Sequence, residues 1–520
     1  MIFMRRRHKR NVTGELYRET CGGKRKDDSV MQELEQVSSS LEENKAFFQE
    51  KFKNAMDFML RELELSGTKA ALIALDGLVS KQVITLSILN PLLSHAAEMP
   101  GNDGPEKMKF IEEHVLGSME QKHEADIDNL LVALMSGFAL LFLDGCPDAL
   151  IFGVQGFATR GPEEPQNEVM QRGAKDGFTE SYQNNMAMIR RRMKSTSLKF
   201  EKAEAGSQSR TPLALCYLEG VASEAILRRV RKAIQNCDLK TTLGAGYLSA
   251  YLEKKTGIFS SVGLTERPDV VCGKIEEGRI AILVEGTPSV LLVPFLFVEN
   301  FQTLDDYLTR PFYGTFIRWL KYLAFFLSAF LPGLYVAITT HHPELLPETL
   351  LLKIAETQAQ TPFPVMLESL LLYFMYEVMR EAGLRAPRGL STTVSIVGGL
   401  VIGDTAVSAG LVSAPSLLVI ALTAIAGYAI PRLYEPLALL RLAFIVVGNF
   451  LGVWGVMIGL VFVVMNLCGE SEFGVPLLSP IAPFRGGLVL RDVLARENWK
   501  KLSRKDAKVQ DMPGSREIGE

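Results

Sequence analysis

Three acidic residues stand where water is scarce. Asp404 is the only charge between Arg388 and Arg432. An ionised carboxylate in the middle of such an apolar run costs about 2.5–3.5 kcal/mol on insertion scales unless it faces protein or water. At helical spacing Asp404 shares a face with Val397, Val401, Ser408 and Leu411. Two chemistries fit: a water-lined path along which the carboxylate meets a passing cation, or a hydrogen-bonded carboxyl packed between helices. Glu368 and Glu377 stand nine residues apart on a helical pattern and point to opposite faces. One could line a vestibule, while the other reaches headgroups or pairs with Arg380, Arg385 or Arg388. The candidate ion path is therefore Glu368, Glu377 and Asp404 with Val397, Val401 and Ser408.

A second set of residues shapes contacts. Gly448, Gly452, Gly455 and Gly459 are spaced 4-3-4, and on one continuous helix they form a narrow stripe that admits a close neighbour. Gly399 and Gly403 repeat the small-xxx-small pattern earlier in the chain. Packing within the chain and an oligomer seam are both open readings. The basic cluster Arg380, Arg385 and Arg388, with Pro387 at its end, is a candidate coupling loop.

Catalytic patterns are absent. The six Cys show no CxxC, the six His cannot build a His-rich metal site, and no GxGxxG or GxxxxGK[ST] occurs. No enzyme, metal or cofactor is expected. A net charge of −3 gives no nucleic-acid footprint.

The elements that must position these residues divide the chain in two. Charged residues make up 22% and hydrophobic residues 48% of the 520, but residues 390–469 hold only Asp404, Arg432, Glu435 and Arg441 as charges. The expected fold is an α/β cytoplasmic N-terminal region of two subdomains, then an all-α polytopic membrane domain. Residues 1–45 read as a basic, charged leader, 46–205 as the first subdomain and 213–285 as the second, with 206–212 as linker. The basic run Arg5–Arg10 is followed by polar residues rather than an apolar stretch, so no cleaved signal is expected. Strands are expected at 69–75, 213–218 and 279–284, and a helix at 224–234. The apolar run 131–143 is too short to span and reads as a helix end running into a strand hairpin.

The membrane domain is expected over 286–480, with spans at about 320–340, 391–412, 416–433 and 442–467. Segments 286–298 and 363–384 read as re-entrant, interfacial or spanning. A basic tail, 481–520, closes the chain. Its Lys and Arg residues argue for the inner side, whereas counting one crossing per span puts it outside, so one segment must re-enter or lie flat.

Specific strings then point to a family. Arg160-Gly-Pro-Glu163, Gly177-Phe-Thr-Glu-Ser181 with Asn185 and Ile189-Arg-Arg-Arg192, and Thr265-Glu-Arg-Pro-Asp269 are similar to the spore germination receptor A subunits of the GerA family. So are Asp305-Asp-Tyr307, Phe363-Pro364 and the stretch from Arg380 to Gly410. The resemblance covers about residues 60–490, although the stretch 171–177 lacks a proline of the family pattern. It implies a subunit of a nutrient receptor in the spore inner membrane, with the N-terminal region in the spore core. It also implies a transporter-like B subunit and a lipoprotein C subunit as partners, and a homo-oligomeric, ligand-gated ion conduit that releases cations. A secondary transporter and a non-conducting scaffold are the alternative classes.

Overall fold

Central strands buried on both faces need apolar residues at every position, not at every second one. The runs KAALIAL, ALLFL and IAILV are of this kind, and each lies inside a sheet. In the computed structural model, residues 35–515 are described except 101–103, 116–120, 155, 157–163, 166–167, 254–256, 387–397, 400–402, 404 and 503–507.

The first sheet holds β1 (Phe58–Leu65), β2 (Thr68–Leu75), β3 (Gln121–Glu124), β4 (Ala139–Leu143) and β5 (Ala149–Phe152), in the order β1-β2-β4-β5-β3. All its pairs are antiparallel. Ala70, Leu72, Ala139 and Leu141 face one layer. Ala71, Ile73, Leu140 and Phe142 face the other, against α1 (Leu41–Lys51) and α2 (Ile127–Leu134). The helix-end-then-hairpin reading of 131–143 matches α2, β4 and β5.

The second sheet holds β6 (Leu198–Ala205), β7 (Thr211–Leu218), β8 (Gly263–Thr265), β9 (Ile280–Val284) and β10 (Val290–Val293), in the order β6-β7-β9-β10-β8. This is the same antiparallel arrangement: hairpin, edge strand, hairpin, with the edge strand pairing last. α3 (Tyr182–Arg192) and α6 (Pro268–Glu276) cover one face. α4 (Glu224–Gln235) and α5 (Ala245–Leu252) cover the other. In α4, Ile226, Leu227, Val230 and Ile234 supply the buried stripe.

Two expectations fail here. Residues 206–212 do not link subdomains: they turn the β6–β7 hairpin, where Gly206 (φ 87°) and Arg210 (φ 43°) have left-handed backbone. The division between the sheets lies before β6. Residues 286–298 are not a membrane-entering piece either, since β10 is wholly buried in the second sheet.

The helical half follows α7 (Leu304–Leu308): α8 (Pro311–His341), α9 (Glu348–Ala359), α10 (Val365–Arg385), α11 (Ala414–Tyr428) and α12 (Tyr434–Gly469). The helix Pro311–His341 is long and apolar enough to cross a membrane, and so is the stretch Pro431–Gly469 taken as a whole. α11, with 15 residues, is a shorter apolar helix than the span expected at 416–433. Half of the expected span at 391–412 falls outside the described residues, as do most of the leader and Arg160–Glu163.

α12 is not one rod. Gly452 has φ 61° and ψ −154° and joins two helices, 434–451 and 453–469. A Cβ on Gly459 would run into the Phe444 ring. Those residues would be about 22 Å apart on a straight helix, so the chain doubles back at Gly452. The expected single span at 442–467 is therefore a hairpin, and the four glycines do not form one stripe. Gly452 is the reversal itself.

Candidate functional site

Two clusters of buried charge organise the helical half. The first fastens it to the second sheet. Thr303 and Asp306 form a capping box on α7, with Thr303 Oγ1 donating to Asp306 Oδ1 at 3.1 Å. Asp306 is 3% exposed and accepts from Lys321 Nζ at 3.0 and 3.1 Å. Arg318, fully buried on α8, has its Nε 3.8 Å from Asp306 and donates through Nη1 to the Asp492 carbonyl. Tyr307 donates to Asp492 Oδ1 at 2.8 Å while Arg318 lies over its ring. Burial, reinforced by the neighbouring Asp492 charge, pushes the Tyr307 phenol well up.

The tail thus wraps the first turns of α8. Trp319 Nε1 donates to the Leu494 carbonyl at 2.7 Å, and Trp499 Nε1 to the Tyr307 carbonyl at 3.1 Å. Further along, Val509 N donates to the Glu277 carbonyl at 2.8 Å, and Val509 packs into the core of the second sheet. Beside this clasp lies a cavity of about 90 Å³, lined by Lys274, Glu277, Arg279, Glu299, Asp492 and Lys501 among others. Arg279 pairs with both Glu277 and Glu299, and Lys274 with Glu299. Burial raises the Glu277 carboxyl, and the charges of Lys274 and Arg279 act in the opposite direction. A second strut is Arg432, in the turn between α11 and α12, which pairs with Glu168. Glu168 also accepts from Thr265 Oγ1 at 2.6 Å on β8.

The second cluster lies inside the bundle. Glu368, on the first turn of α10, is fully buried. Its Oε1 accepts from the backbone N–H of Ser413, the N-cap of α11, while its Oε2 is buried without a hydrogen-bond partner. Ser413 Oγ is 3.0 Å from Ser416 Oγ, which donates to Tyr335 Oη at 3.2 Å. Towards the sheets, Glu377 accepts from Tyr434 Oη at 2.5 Å, and Arg380 stacks 3.2 Å from the Tyr434 ring centroid. Arg441 is fully buried and donates to the Ser328 carbonyl at 2.8 Å.

The sequence-derived candidates scatter accordingly. Glu368 and Glu377 lie on different contacts of α10. Asp404, Val397, Val401, Pro387 and Arg388 lie outside the described residues, and Ser408 and Gly399 are exposed. Gly403 has open space where a Cβ would stand. A Cβ on Gly448 would strike the Gly333 carbonyl, so that glycine brings α12 against α8 just past Pro332. A Cβ on Gly455 would meet Val447 and Leu451 of the first arm of α12. Arg380 contacts Tyr434 and Arg385 pairs with exposed Glu381, so both act within the bundle. The ties to the second sheet run instead through α7, α8, Arg432 and the tail.

Sequence reasoning missed Asp306, Arg318, Lys321, Asp492 and Arg441 as site residues. Arg441 carried a signal, being a lone cation in an apolar stretch. Among the described residues no group of three or more His, Cys, Asp or Glu is placed to hold a metal.

Comparison with known proteins adds a family. Residues 46–508 match the model of the Bacillus/Clostridium GerA spore germination protein. The chain is 39% identical over 469 residues to spore germination protein KA of Bacillus subtilis (strain 168), covering 89% of this chain and 85% of that one. It is 33% identical over 473 residues to the uncharacterized membrane protein YfkQ of the same organism, covering 90% and 91%. Among solved structures it resembles the N-terminal domain of the A subunit of the Bacillus megaterium spore germinant receptor GerK3. That match has 29% identity and a TM-score of 0.41, and covers 50% of this chain and 97% of that one.

Proposed function

The chain belongs to the GerA family of spore germination proteins, as one of its A-type subunits, and from that premise we propose that it forms the ion conduit of a nutrient germinant receptor. Several copies surround a wet passage in the spore inner membrane. A transporter-like B subunit and a lipoprotein C subunit complete the receptor, and nutrient binding opens the passage to release cations. The chain does no covalent chemistry.

One observation carries this reading: a bundle with apolar outer faces is fastened by buried charges to a soluble α/β region. Phe316, Trp319, Leu323 and Phe326 on α8, and Trp454, Ile458, Val461 and Met465 on α12, are exposed, which suits lipid or a second copy. A motion of the second sheet would be passed on through the tail, whose Val489 and Val493 pack into that sheet's core while Asp492 meets Arg318 and Tyr307. The reversal at Gly452 also supports the topology. Both ends of α12 lie by the sheets, Arg432 against Glu168 and Glu472 against Ser261, while His341 meets Asn449 at the far end. An extra crossing in α12 brings the basic tail to the side of the sheets, as its Lys and Arg require.

The test is electrical. The purified receptor, reconstituted in planar bilayers, should pass cation current when nutrient is added. Saturable, stoichiometric solute uptake without current would replace the conduit with a secondary transporter. Silence in both assays would leave a scaffold.

A further inference from the structure

We propose that Glu368, Ser413, Ser416 and Tyr335 bind a dehydrated monovalent metal cation inside each protomer, between α8, α10 and α11. A buried carboxylate needs a partner for each oxygen, because leaving one unmatched costs more than an ordinary hydrogen bond returns. Glu368 is 0% exposed, yet only Oε1 is satisfied, by the Ser413 N–H at the start of a 15-residue helix. Oε2 is buried and unmatched, and among the described residues no Lys or Arg pairs with this carboxylate.

The neighbouring groups set the class of ligand. Ser413 Oγ, Ser416 Oγ and Tyr335 Oη are linked at 3.0 and 3.2 Å beside Glu368. The donors are all hard oxygens, with no sulfur or imidazole among them, which selects alkali or alkaline-earth ions over transition metals. There is one carboxylate. Divalent ions gather more carboxylates or keep several waters, and a single negative charge neutralises a monovalent ion in a place where net charge is costly. The ion would tie the start of α10 to the start of α11 and to α8, so its binding would hold these three helices in one arrangement.

The inference rests on the bundle lying in a membrane and not on its conducting. The full-length protein in detergent is melted while NaCl or KCl replaces N-methylglucamine chloride at constant ionic strength. The wild type should show a saturable rise in Tm with Na⁺ or K⁺, as a ligand confined to the folded state requires. E368Q should show a flat response, and S416A and Y335F should each need about tenfold more cation for half-saturation. If E368Q fails to fold, those two variants carry the test. A wild type that does not distinguish the metal ions from N-methylglucamine, or variants that all titrate like the wild type, overturns the site. A protein that passes this titration but carries no current would keep the site and lose the conduit.

Discussion

Strand for strand, the first and second sheets repeat one antiparallel order, each with its third strand at the edge and helices on both faces, yet the contacts that fasten the helical half belong to the second. Its core takes in Phe473, Val475, Val489, Val493 and Val509 from the chain beyond α12. Among the joints between the first sheet and the second is a buried ion pair: Arg190 on α3 holds Asp57, with Nη2 2.9 Å from Oδ2 and the two side chains 1% and 3% exposed. The same topology therefore serves two tasks, and attachment decides which. The second unit is bolted to the helices, and the first is attached to the second.

The largest expected effect comes from cutting the bolt. Asp306→Ala leaves two buried cations, Arg318 and Lys321, without their shared carboxylate. Breaking a buried pair in this way costs about 3–5 kcal/mol. Thermal unfolding of the full chain in detergent should show that loss, with faster hydrogen exchange across 304–322 and 489–499 and little change in the first sheet. A loss below about 1 kcal/mol, the range of an exposed pair, would mean that the clasp is peripheral and the contrast between the sheets is overstated.

Much of this architecture could be read from the residues, because double-sided burial leaves an unmistakable trace. KAALIAL and RIAILV are apolar at consecutive positions, and both fall on central strands. The same trace misled at 286–298, where a buried strand flanked by prolines looked like a lipid-facing piece. Glycine misled for a different reason. The 4-3-4 spacing at 448–459 fits a packing seam, but a glycine also permits positive φ, and at Gly452 that freedom is what the chain uses. The clasp was the hardest to foresee. Its members are ordinary charges whose meaning comes from partners far along the chain: Tyr307 and Asp492 stand 185 residues apart. Glu368 was legible as a carboxylate in an apolar helical stretch, but its contact with the start of α11 was not.

A smaller effect should follow from loosening the other joint. Arg190→Ala strands one buried carboxylate, Asp57, and removes donors to the Ser195 and Leu198 carbonyls. The expected cost is about 3 kcal/mol, at the low end for a broken buried pair. It should open the boundary between the sheets to proteolysis near 193–197 while leaving the clasp around Asp306 protected. If the clasp loosened as well, the two units would move as one body, and the division of labour drawn from their attachments would fail.

The smallest effect separates the units by pH. The second unit, residues 198–301, contains no histidine, whereas the first carries His123 on its edge strand. His123 lies between Asp148, 2.6 Å from Nδ1, and Glu112, 3.0 Å from Nε2. Burial pulls its pKa down, but the two carboxylates pull harder and hold it above the ordinary 6.5. A folded pKa above the unfolded one means that the protonated ring stabilises the fold. That contribution is complete below pH 6.5 and is lost as pH rises through the folded value. With the ring partly open to solvent, screening limits it to about 0.5 kcal/mol. His123→Gln should therefore flatten the pH dependence of hydrogen exchange at β3 and β5 as pH rises above 6.5, leaving the second sheet unchanged. An equal pH response in both sheets, with or without His123, would place the titrating group elsewhere and remove this distinction between the two units.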